Sequence, residues 1–256
     1  MKSAPRIDRR RFLSGVTQAA GLFALAGCDN LTRNEWFLAL LGRGEGVTQW
    51  AQRLLTSRVA MAKEYTEADL SPVFPANGES DPGNPEYQAH AADGFTDWKL
   101  EIGGLVQQPA TFSLTDLRGM PSRTQITRHD CVEGWSAIAK WTGVSLHTVL
   151  GRVQPLPSAR YVVFHCADLD EDQIHYYESL DLEDAYHPQT ILAHGMNGQS
   201  LPIAHGAPLR LRVERQLGYK HAKYVMQVEL VSSLEEIGGG RGGYWEDQGY
   251  EWYAGI

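Results

Sequence analysis

Basic residues are scarce in this chain: 23 Lys and Arg stand against 31 Asp and Glu over 256 residues, a formal charge of −8. That balance offers no field to draw nucleic acid. Cysteine is scarcer still, with only Cys28, Cys131 and Cys166, too few for a disulfide framework and without the paired spacing of a zinc site. The small, apolar stretch from Gly15 to Gly27 includes Thr17 and Gln18 and falls short of the about 20 residues that a membrane-crossing helix needs. The histidines show no zinc-protease spacing, and Gly238 to Gly243 lacks the Lys-Ser/Thr ending of a phosphate loop. No serine occupies a nucleophile elbow, and no unit of about 20 to 50 residues repeats.

What is present starts at the N-terminus. Arg9-Arg10-Arg11-Phe12-Leu13 has the form of a twin-arginine export signal, and Leu25-Ala26-Gly27-Cys28 has the form of a bacterial lipobox. The expectation is therefore a segment, residues 1–27, that is removed. A lipid anchor follows at Cys28, and Asp29 resembles the signal that retains such proteins at the inner membrane. Residues 28–75 read as a tether and helical arm, on the spacing of Trp36, Leu40, Leu41, Val47, Trp50, Leu54 and Leu55. Twin-arginine export carries folded proteins, so the route points to a cofactor inserted before crossing. The removed segment takes Lys2, Arg6, Arg9, Arg10 and Arg11 with it against Asp8, which leaves the mature chain more acidic.

From Trp98 onward the pattern is α+β, with mixed sheets and short helices. Trp98, Leu100 and Ile102 alternate, Leu114 to Arg118 can form a helical turn, and Arg123 to Asp130 reads as a strand running into Cys131. Ser145 can cap a helix over Leu146 to Leu150, and Tyr161 to Cys166 reads as a buried strand. A helix starting at Ser179 to Glu183 should stop before Pro188. Asn197-Gly198 signals a tight turn, and Leu209, Leu211 and Val213 alternate with Arg210, Arg212 and Glu214 in a strand with one wet or ligand-facing side. Tyr224 to Val231 is the last strand. Residues 238–256 are a glycine- and aromatic-rich tail, expected to wrap the core more readily than to act as a lid or a docking site.

Two features point to chemistry. Cys131 is a thiol beside Arg128 and His129, whose charges can hold a thiolate, and thiolate is a nucleophile or a soft metal ligand. The opposing readings are a buried structural cysteine and a Cys131–Cys166 disulfide in an oxidising compartment. The second feature is the densest cationic run, Arg210, Arg212, Arg215, Lys220, His221 and Lys223, suited to an anionic ligand such as phosphate. The acidic loop Asp168, Asp170, Glu171 and Asp172 reads as solvated surface.

Taken together, Arg128-His129-Asp130-Cys131-Val132-Glu133-Gly134-Trp135-Ser136, Trp141-Thr142-Gly143, His187-Pro188-Gln189-Thr190 and Gly206-Ala207-Pro208-Leu209-Arg210 resemble the molybdopterin domain of the sulfite oxidase family, in its bacterial exported branch. The resemblance spans about residues 76–237. It implies a molybdenum–molybdopterin cofactor with Cys131 as the protein's thiolate ligand to the metal. Asn77, Cys166, His205, Arg210, His221, Ala222 and Lys223 stand at the cofactor-contacting positions, His205 where asparagine is usual. Tyr219 replaces a phenylalanine of the family pattern. Arg128 is the leading candidate to meet an anionic substrate. The implied activity is a two-electron oxygen-atom transfer on a small sulfur-containing substrate, sulfite oxidase-like. The alternative is a sulfoxide reductase of the methionine sulfoxide type, and the distant one a non-catalytic envelope lipoprotein with the Cys131–Cys166 disulfide. Neither a haem domain nor a dimerisation domain has room in the chain, so electrons are expected to pass through a separate cytochrome or membrane haem subunit. The expected location is the periplasmic face of the inner membrane.

Overall fold

Lys99 and Glu101 face water while Leu100 and Ile102 are buried between them, and the strand they form (β1, Lys99–Gly104) follows that alternation. The computed structural model describes Asn34, residues 44–55 and residues 57–256. The twin-arginine pair, Cys28 and the helical spacing at Trp36 to Leu41 lie outside the described residues. The chain divides into Met1–Ala51 and Gln52–Ile256. In the first, a helix begins at Gly44 and continues to Leu55.

The second unit holds two five-stranded sheets. One has the order β2 (Ala110–Ser113), β1, β10 (Val225–Val231), β5 (Tyr161–Leu169), β6 (His175–Asp181); β1 and β10 run parallel, and every other neighbouring pair in it runs antiparallel. The other runs β3 (Ser122–Asp130), β4 (Ser136–Ser145), β7 (Ile191–Met196), β8 (Gln199–Ser200), with β9 (Arg210–Arg212) also on β7. One large core takes Leu100, Val162 and Val228 from the first sheet and Val144, Leu192 and Leu211 from the second. The helix Leu146–Val153 adds Leu146, Val149, Leu150 and Val153 to that core, all fully buried. A smaller core of Trp141, Ile191, Ala193 and Met196 packs against Phe74.

Several short-range signals act as read. Ser113 and Asp116 form a reciprocal cap on the helix Leu114–Gly119. Asn197 and Gly198 take φ of 51° and 78° in the β7–β8 turn, the left-handed pair that a two-residue hairpin favours. Two readings differ. The helix expected from Ser179 begins only at Leu182, because β6 keeps pairing β5 through Asp181, whose side chain then caps the helix. Residues 57–75 do more than tether: Tyr65 N donates to Ile126 O at 2.8 Å, Ser71 N to Ile138 O at 3.0 Å, and Phe74 enters the smaller core.

The tail from Gly238 wraps the unit. Trp252 Nε1 donates to Ser179 Oγ at 2.8 Å, and Asp247 accepts from Tyr177 Oη at 2.5 Å and from Gly239 N at 2.7 Å. Beneath it Lys220 is wholly buried between Glu178 and Glu246, with Glu246 Oε1 at 2.6 Å. Burial works against the Lys220 charge, but the two carboxylates outweigh it and raise its pKa.

At the β4–β7 register shift, Gly143 lets the two backbones touch: a Cβ there would stand 2.2 Å from Leu192 O and 2.5 Å from Ala193 Cα. Backbone cannot yield as a flexible side chain can. Gly143→Ala is expected to cost roughly 2–4 kcal/mol of stability, read as a lower denaturant midpoint at unchanged slope.

Candidate active site

β3 delivers Cys131 to a tight turn. Cys131 N donates to Trp135 O at 2.9 Å, Gly134 N donates to Cys131 O at 3.0 Å, and Gly134 takes φ of 88°. The turn holds the thiol, 8% exposed, in the wall of a cavity of about 440 Å³. Asn77 Nδ2 donates to Cys131 Sγ at 3.3 Å. Burial raises the thiol's pKa against the pull of hydrogen bonds from the Glu133 and Val132 backbone and from Asn77.

The expected cationic help for that thiol is absent. Successive strand residues point to opposite faces, so Arg128 stands outside the cavity lining, half exposed, with Nε donating to Asp130 at 2.9 Å. His129 does line the cavity, but burial, then Arg212 and Arg210, push its pKa well down. Arg212 can only donate, so His129 Nδ1 accepts from Arg212 Nη1 at 3.0 Å and its ring proton sits on Nε2. Gly218 lies against that nitrogen: a Cβ there would stand 2.5 Å from Nε2. The protein's own charges therefore leave the thiol protonated.

The cationic run sorts into two kinds. Arg212 is fully buried and bidentate to Glu214, at 2.9 and 2.6 Å, with Gln125 donating to the same carboxylate at 2.9 Å. Arg215 pairs with Asp184 at 2.7 Å, and Lys220 with Glu178 and Glu246. The other three make no hydrogen bond to a carboxylate. Arg210 donates to His205 O at 3.1 Å and leaves Nε without a partner. Lys223 donates to the carbonyls of Asn77 (2.7 Å), Glu79 and Ala204 (3.3 Å). His221 donates from Nε2 to Gln216 O at 3.1 Å and leaves Nδ1 unpartnered. These three line the cavity with Cys131 and Asn77. Arg210 and Lys223 make no ion pair: burial, then Arg212, bring Arg210 down to about 9, and burial, then Arg210, bring Lys223 down to about 8, while burial, then Arg212, push His221 well down and keep it neutral. Burying unpaired cations is costly, so this end of the cavity is built for an anion.

Of the other expected contacts, His205 stands behind the wall, packed edge-on to Phe74 at 5.6 Å, and reaches the site only through the carbonyl that holds Arg210. Ala222 is buried and serves β9 by accepting from Leu211 N at 2.8 Å. Cys166 is buried in β5 and borders a second cavity, of about 520 Å³, with His165 and His175. Both thiols are free, so the disulfide alternative is not formed. The acidic loop is not simply solvated: Asp168 is 8% exposed, Asp168, Asp170 and Glu171 line the cavity, and burial pushes the Asp168 carboxyl up to about 7. Charge pattern cannot reveal this. An alternating strand entering an acidic turn leaves open which carboxylate turns inward.

Among the described residues no three His, Cys, Asp or Glu side chains converge on one point. A metal at Cys131 would therefore need ligands brought by a cofactor.

Comparison with known proteins bears on that cofactor. Residues 87–236 match the model of the oxidoreductase molybdopterin binding domain. A putative protein-methionine-sulfoxide reductase subunit, YedZ1, of Azospira oryzae is 38% identical over 250 residues, 96% of this chain and 87% of that protein. The protein-methionine-sulfoxide reductase catalytic subunit MsrP of Xanthomonas axonopodis is 38% identical over 150 residues, 54% of this chain and 46% of that one. The sulfane dehydrogenase SoxCD of Paracoccus pantotrophus shares 23% identity at a TM-score of 0.49, over 58% of this chain and 45% of that one.

Two outcomes test the electrostatics. Glu214→Ala strands the buried Arg212 and should cost about 3–5 kcal/mol, measured by urea unfolding. Folding lifts Asp168 from 3.8 to about 7. Between those values the folded state holds the extra proton, so this group's contribution to stability declines as pH rises from about 4 to about 7. In cofactor-free protein, Asp168→Asn should remove roughly 2–4 kcal/mol of that decline, seen by comparing unfolding midpoints at pH 4.5 and 7.5.

Proposed function

Because the chain belongs to the oxidoreductase molybdopterin-binding domain family, we propose that this molybdopterin-dependent enzyme reduces sulfoxides, with an alkyl sulfoxide of the methionine sulfoxide type as substrate. The cavity fits the cofactor on its own chemistry. Cys131 supplies the soft sulfur, Asn77 donates to that sulfur, and Arg210, whose buried Nε–H has no partner, offers a donor to an anionic group such as a pterin phosphate, with the Lys223 ammonium in the same lining. When bound, the cofactor supplies a two-electron change coupled to movement of an oxygen atom. The overall reaction takes sulfoxide, two electrons and two protons to thioether and water.

The observation that carries the direction is how charge is laid out in the cavity. Its unpaired cations cluster with Cys131 and Asn77, while Glu79, Glu133, Asp170 and Glu171 add carboxylates to the same lining. Sulfite is a dianion and would need cations beyond those that hold the phosphate, and Arg128 is tied to Asp130 outside the lining. A sulfoxide is neutral and meets no such repulsion. The relatives named as methionine sulfoxide reductase subunits support the same direction.

The rest of the reading follows from the sequence. The chain is exported folded, held at the membrane through Cys28, and receives electrons from a separate protein such as a membrane haem subunit. Among the described residues no helix is long and apolar enough to cross a membrane.

Holoenzyme with a reduced viologen dye should reduce methionine sulfoxide, and with an artificial acceptor should oxidise sulfite far more slowly. The reverse preference would overturn the direction. Cys131→Ser should keep its far-ultraviolet dichroism but lose both the sulfur-to-metal absorption and turnover; wild-type spectra and rates would reject Cys131 as ligand.

A further inference from the structure

Five aromatic rings from three parts of the chain line the cavity together: Tyr176 on β6, Tyr219 in the turn Gly218–Lys220, and Tyr244, Trp245 and Tyr250 in the tail. They touch in sequence. Tyr176 meets Tyr244 at 5.6 Å, Tyr244 meets Trp245 edge-on at 5.3 Å, Trp245 stacks on Tyr250 at 5.3 Å and 28°, and Tyr250 meets Tyr219 edge-on at 5.2 Å. The circle closes where Tyr176 Oη donates to Tyr219 O at 2.6 Å. Its outer members stay uncovered: Trp245 is 39% exposed and Tyr250 41%. Large aromatic faces left open at a cavity are available to a ligand, and they hold alkyl groups and polarisable sulfur well.

The ring is anchored from behind. Lys220 follows Tyr219 directly and binds Glu246, which follows Trp245 directly; Glu178 completes the buried cluster from β6, two residues past Tyr176. Tyr244 Oη donates to Asp170 at 2.8 Å and Tyr219 Oη to Glu251 O at 2.6 Å, which fixes the phenol ends. The tail's short helix, Tyr244–Asp247, thus has one side in a charged interior and two rings on the cavity.

Resting on the sulfoxide reading above, we infer that Trp245 and Tyr250 form a stacked aromatic ledge that takes the alkyl arms of an organosulfur substrate. The ledge selects organic sulfoxides over small inorganic oxyanions. A neutral sulfoxide presents a polar S–O end and two apolar arms, and the ledge offers the arms a surface while the S–O end faces inward. An inorganic oxyanion has nothing to lay on the rings and meets the carboxylates of Glu133, Asp170 and Glu171.

The test uses holoenzyme with matched molybdenum content. Trp245→Ala and Tyr250→Ala should each raise the KM for methionine sulfoxide about tenfold with kcat within about twofold, since an aromatic contact of this kind is worth roughly one power of ten. The Kd for methionine sulfone, which is not reduced, should rise by the same factor in calorimetry. Trp245→Phe keeps a ring and should stay close to wild type, which separates loss of the ring face from loss of fold. Unchanged KM and sulfone Kd in both alanine variants, with wild-type enzyme still reducing the sulfoxide, would overturn the ledge and leave the sulfoxide reading intact. Wild-type holoenzyme that reduces no sulfoxide would overturn both.

Discussion

Arg212 is a guanidinium with no access to water, and the two-point grip of Glu214 is what makes its burial tolerable. Much of the site depends on that pair. Its charge fixes the His129 tautomer by donating to Nδ1, and its guanidinium lies over the Trp141 ring at 4.4 Å, locking β9 to the β4 side of the sheet. Because Glu214 is spent on Arg212, no carboxylate is left to bind Arg210, one step along the same face of the strand. Arg210 is thereby left with a buried Nε that has no partner.

How the thiol at position 131 is managed follows the same economy of charge. The chain does not pre-ionise it, since burial raises its pKa and the neighbouring histidine is neutral. The hairpin and the Asn77 amide supply position instead. A protonated thiol is less open to oxidation than the thiolate, which is the reactive form.

The sequence made legible whatever rests on local spacing. The strand into Cys131, the capped turn at Ser113, the Asn197-Gly198 hairpin and the cationic run were all readable, because each is decided within a few residues. Motif resemblance singled out Cys131, Asn77, Arg210, His221 and Lys223, which the fold brings into one cavity lining. What stayed hidden was decided by packing across long separations. The sidedness of β3 separates Arg128 from His129, and a run of like charges gives no sign of which members find carboxylates: Arg215 does so 31 residues away, Lys220 at 42 and 26. Asp168 reads as surface because it stands in a run with Asp170, Glu171 and Asp172, and only the packing separates it from the exposed Glu171 and Asp172. The resemblance puts Cys166 at a cofactor-contacting position, yet β5 buries it beside a different cavity.

The cluster of Lys220, Glu178 and Glu246 ties the last residues of the chain to the middle of the fold. A version of this protein shortened before Tyr244 would leave an ammonium in the interior with a single carboxylate, and would open the cavity along one whole side. Terminal segments are usually where lineages lose or exchange sequence freely. Here that freedom stops at Glu246, because a cut ahead of it removes one of the two carboxylates that hold Lys220.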